Sequence, residues 1–81
     1  MFGVDLATIE LHLAEAEERV LLGYRHVKRQ GEIIAELERE GQDATQSKAL
    51  LATFQMSLRM HIANRDRLIE ELEMAQRVSP R

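Results

Sequence analysis

The stretch IAELEREGQDATQSKALL, residues 34–51, decides the fold. Gly41 stands where the end of a helix places its left-handed residue. Asp43, followed three residues later by Gln46, has the form of a capping box that opens a new helix. Only Gly41-Gln42-Asp43-Ala44 separates the two signals, and a link this short returns the second helix antiparallel to the first.

Outward from the turn, both flanks carry one apolar stripe with alternating steps of three and four. Toward the N-terminus it runs Leu6, Ile9, Leu13, Ala16, Val20, Gly23, Val27, Gln30, Ile34, Leu37, with Gly23 and Gln30 as weak members. Toward the C-terminus it runs Ser47, Leu51, Phe54, Leu58, His61, Arg65, Leu68, Leu72, Ala75, with a polar break at His61 and Arg65. A sustained 3.5-residue period is the pattern of coiled-coil packing. Asp5 is placed to cap the first helix, and Pro80 to close the second. The expectation is one all-α domain over residues 1–81: helix about 5–40, turn 41–44, helix about 44–77 and a short tail 78–81. Paired positions should have numbers summing to about 85. That sets Ile34 against Leu51, Val27 against Leu58, Leu13 against Leu72, and Gly23 against His61 and Ile62. Gly23 then either makes room for those larger groups or marks a close helix crossing in an oligomer.

Size bears on what such a hairpin does. A globule of 81 residues has a marginal core, and two parallel rods bury only one stripe each. Yet 44% of the chain is apolar, and much of that lies off the stripes: Leu11, Leu21, Leu22, Tyr24, Ile33, Leu50, Met56, Met60 and Met74. Apolar patches of that extent mark interaction sites. The predicted architecture is therefore an antiparallel two-helix hairpin, coiled-coil-like, that dimerises into a four-helix bundle. A homodimer or higher homo-oligomer is expected, with the stripe residues Leu6, Ile9, Leu13, Val20, Val27, Ile34, Leu37, Leu51, Phe54, Leu58, Leu68 and Leu72 as its core and assembly surface.

The net charge of −3 hides a block pattern. No acid occurs from Arg19 to Gly31 or from Ala44 to Arg65, whereas acids crowd both ends of the hairpin. Arg25, His26, Arg29 and Arg59 should gather at mid-length as a basic belt for a partner protein. The belt either supplies the register of assembly, facing acidic ends of another copy, or forms an anion site. Nucleic acid is the weaker version of the second reading, because only Tyr24 offers stacking and nucleic-acid domains are usually basic.

Catalytic, cofactor and metal constellations are absent from the sequence, so no enzyme is expected. Without Cys there is no disulfide, thiolate metal site or Cys nucleophile. His12 and Glu15 are spaced to share a helical turn, but two ligands alone are more simply a solvated pair. His61, on the stripe, reads as a hydrogen-bonded interior or rim histidine. Ser47 and Ser57 lack an elbow motif, and no glycine-rich phosphate loop occurs. The N-terminus Met1-Phe2-Gly3-Val4-Asp5 has neither the basic and apolar regions of a signal peptide nor a glycine directly after Met for myristoylation. No run approaches the length of a membrane span, so the expected setting is the cytoplasm, away from membranes.

The strings HVKRQGEIIAELEREGQD (26–43), ALLATFQMSLRMH (49–61) and RDRL (65–68) resemble a group of small uncharacterised bacterial proteins, mainly proteobacterial. In that group the position of Gly31 is commonly Arg. The resemblance implies a short helical-hairpin protein with no assigned activity, and it transfers no site residue.

Overall fold

A computed structural model describes residues 5–78. It contains two α-helices, α1 (Leu6–Arg39) and α2 (Thr45–Val78), packed antiparallel along their length. The predicted closure at Pro80 and the tail beyond Val78 lie outside the described residues.

Both ends of α1 and the start of α2 follow from local hydrogen bonds. At the start of α1 the Asp5 carboxylate accepts from the Thr8 backbone N–H at 2.8 Å, filling one of the amides that a first turn leaves open. At the end of α1 the Gly41 N–H donates to the Glu38 carbonyl and the Gln42 N–H to the Leu37 carbonyl, at 3.1 and 2.8 Å. That double closure is the Schellman motif. It requires the left-handed conformation that Gly41 adopts at φ 72°. The opening of α2 differs from the expected capping box. Ala44 occupies the cap position, its carbonyl accepting from Lys48 N–H at 2.9 Å. Asp43, one residue earlier, accepts from the Thr45 N–H at 3.0 Å and from its hydroxyl at 2.7 Å. An Asx turn therefore takes up the carboxylate that Gln46 was expected to share.

The stripes do face each other. Ile9, Ala16, Val20 and Ile34 of α1 are buried, as are Leu58 and Leu68 of α2, and the other stripe members are buried or half-buried. The structure thus places the stripes in the seam between the chain's own two helices. They form the hairpin's core. Buried Gln30 is satisfied by donating from Nε2 to the Ser47 carbonyl at 3.0 Å, as a polar group in a seam must be.

The register departs from simple counting through the turn. Leu58 sits on Gly23, where a Cβ would lie 2.9 Å from Leu58 Cδ1 and 3.7 Å from its Cα. Counting through the turn places His61 and Ile62 there. The numbers of the close pair sum to 81 rather than 85, a displacement of about one helical turn. The fit is one of shape: a branched side chain sits where the facing helix has none. The molecule that results measures 64 × 15 × 14 Å.

Two predictions follow from these local arrangements. Gly31 has nothing within 4 Å of a built Cβ, so Gly31→Ala should raise stability by about 1 kcal/mol through helix propensity. Gly23→Ala should gain less, because Leu58 must move. Urea unfolding of the two variants checks this, and a Gly31→Ala protein no more stable than wild type contradicts it. The second prediction concerns acid. Hydrogen bonds from the Thr8 backbone lower the Asp5 pKa, those from the Thr45 side chain and backbone lower that of Asp43, and the Lys28 ammonium lowers that of Glu32. A carboxyl whose pKa is lower folded than unfolded contributes stability above its unfolded value and loses it as pH falls through the folded one. Helicity should therefore decline below about pH 4. An Asp5→Asn/Asp43→Asn variant, which keeps capping groups that do not titrate, should show a shallower acid limb by circular dichroism.

Candidate functional site

The middle of the hairpin holds the predicted belt, and the fold distributes it around the rod. Ser57 and Arg59 flank Leu58, each about 100° around the helix from it. Ser57 lines a shallow depression together with Arg19, Leu22, Gly23, His26, Phe54 and His61. Arg59 therefore projects from the opposite edge, the one on which Lys48 reaches across to Glu38 at 2.9 Å. Arg25 lies two residues from both Gly23 and Val27, which turns it to the outer surface of α1. Arg29 belongs to the His26 edge and meets Glu32 at 3.6 Å, where Lys28 also pairs at 2.8 Å. The belt residues share a level along the rod, but Arg59 does not join His26 and Arg29 in one patch.

The depression exists because of Gly23. With no side chain there, Leu58 drops into the seam and leaves the surface above it concave. The His26 imidazole covers one wall, stacked on Phe54 with ring centroids 5.3 Å apart and planes 22° from parallel. This stacking lays the exposed imidazole on the half-buried phenyl ring, a contact worth about 1 kcal/mol. Arg19 and His61 stand toward the other end. Arg19 is not among the belt residues that the sequence predicts. The signal was present: His12, Arg19 and His26 recur every seven residues, and a seven-residue step returns to the same edge of a coiled-coil helix.

Among the described residues no group of three or more His, Asp or Glu side chains is arranged to hold a metal ion, and His12 and Glu15 meet no third ligand there. No helix among the described residues is long and apolar enough to cross a membrane. The large apolar side chains off the stripes are where the sequence pattern put them: Leu11, Leu21, Leu22, Tyr24, Leu50, Met56, Met60 and Met74 are exposed, and Ile33 is half-buried. No protein-family model, curated protein or solved structure matches the chain.

A basic patch broken across two edges, with acids at both ends of the rod, is poorly built for a polyanion. Duplex DNA at physiological salt should not be retarded by micromolar protein in a gel-shift titration. Retardation that falls steeply with salt and disappears in an Arg25→Glu/Arg29→Glu variant would reverse that conclusion.

Proposed function

We propose that this chain is a non-enzymatic assembly module, a helical hairpin that homo-oligomerises and offers its mid-length basic side chains to an acidic surface on its partner. In this reading two hairpins form a four-helix bundle in the cytoplasm. One observation carries it. The hairpin exposes 6376 Å², whereas a compact monomer of 9.3 kDa exposes about 5,000 Å². The surplus is about 1,400 Å² on that scaling, and eight large apolar side chains stand in the exposed surface. The radius of gyration of 18.3 Å makes the same point, since a compact chain of this length has about 12 Å. Assembly removes apolar area from water at about 25 cal/mol per Å², a gain that a lone rod forgoes.

Because the seam already uses the stripe residues, assembly in this reading runs through the off-stripe side chains. Sedimentation equilibrium of the full chain tests it. A dimer is expected at micromolar concentration, with thermal stability that rises with protein concentration as mass action requires. A folded monomer whose melting is independent of concentration overturns the reading.

A further inference from the structure

We propose that the partner of this hairpin is a second copy, docked face to face about a two-fold axis that crosses the rod at the level of Leu22 and Met60. This rests on the assembly reading above and names the surface and register that serve it.

The surface is the one that bears the depression. Leu22 lies in its wall with His26 and Ser57. Met60 follows Ser57 by three residues, Leu50 precedes it by seven, and Ile33 follows His26 by seven. Leu11 precedes Leu22 by eleven, and Met74 follows Met60 by fourteen. Steps of three, seven, eleven and fourteen all return near the same side of a helix. Residues stand level when their numbers sum near 81, as Gly23 and Leu58 do. Leu22 is then level with Met60, Ile33 with Leu50, and Leu11, at the outer border of the face, lies within a turn of the level of Met74. The face carries three apolar rungs at similar intervals along the rod.

A half-turn about the middle rung lays it on itself and brings each outer rung onto the other, Leu11 opposite the partner's Ile33. The charges between the rungs obey the same rotation. Glu15 precedes Leu22 by seven residues and Arg29 follows it by seven; Glu18 precedes by four and Arg25 follows by three. The rotation sets Glu15 toward the partner's Arg29 and, along the outer border of the face, Glu18 toward the partner's Arg25. Because a two-fold contact occurs twice, each copy supplies both halves. Such self-complementarity is what an isologous interface demands and what an unrelated partner has no reason to impose. The charges are available for it: among the described residues Glu15, Glu18 and Arg25 form no ion pair, and Arg29 has only its 3.6 Å contact with Glu32. Area agrees as well. A standard interface covers about 800 Å² of each partner, which the surplus exposure of the hairpin accommodates.

A charge swap in the full chain tests the register. Variant one is Glu15→Lys/Glu18→Lys and variant two is Arg25→Glu/Arg29→Glu. All four residues are exposed, and circular dichroism on each variant verifies helicity. Alone, each variant faces like charges across the two-fold, and its dimer dissociation constant should rise roughly tenfold or more at low salt. Mixed in equal amounts, the two should form a one-to-one heterodimer by sedimentation and native mass spectrometry, since every facing pair is then opposite in sign. Recovery on mixing supports the two-fold register. Wild type that dimerises while both variants dimerise equally well overturns this face and leaves the assembly reading standing. Variants that weaken without recovering on mixing overturn the pairing. Wild type that stays monomeric overturns both.

Discussion

A helix packed against a single neighbour can hide one face and no more. In this chain that limit governs nearly everything else. Each of the two helices has 34 residues, and each turns its single 3-4 stripe into the seam. Along the middle of α1 the seam's occupants are small or medium, Ala16, Val20, Gly23 and Val27, and Leu58 of α2 seats on Gly23. Every further apolar side chain then has nowhere to go within the chain. The exposed leucines and methionines are thus a geometric consequence of a two-rod architecture on a sequence that is 44% apolar.

Polar contacts hold the seam in register without supplying much of its stability. Gln30 inside the seam reaches the Ser47 carbonyl, and the Lys48–Glu38 pair closes one edge near the turn. Exposed ion pairs of that kind contribute about 0–1 kcal/mol. Nearer the turn these polar contacts reinforce the register that Leu58 on Gly23 sets at mid-length. The turn makes the same choice from the end of the rod: the Schellman closure at Gly41 and the Asx turn at Asp43 leave five residues, 40–44, between the helices.

Charge is organised at a coarser scale than any single pair. The acid-free middle of the chain becomes a level of the rod, and the helical rotation then deals its cations to different edges. The cations therefore do not line one groove, and in the proposed dimer Arg25 and Arg29 are placed for the acids of a symmetry-related copy. Both sets of residues lie on α1, so their spacing is rigid, and a rigid spacing suits a fixed register.

Much of the fold was legible in the sequence, because helix periodicity and capping are local. Residues 6–37 and 47–75 repeat every three or four positions, and that repeat alone marks which side chains meet a neighbour. Gly41 reads as a left-handed stop since only glycine adopts that conformation at little strain. The off-stripe apolar residues were likewise evident from their phase. Three things were decided only in three dimensions. One is the slide of α2 that seats Leu58 on Gly23, set by how side chains from distant parts of the chain fill one another's space. Another is the division of the belt between two edges, which depends on the angle at which each helix is rotated into the seam. The last is the capping detail at α2, where Asp43 served Thr45 instead of Gln46. Sequence determined what each helix hides, because that is a property of a single helix. Tertiary packing decided what meets what, because register belongs to the pair.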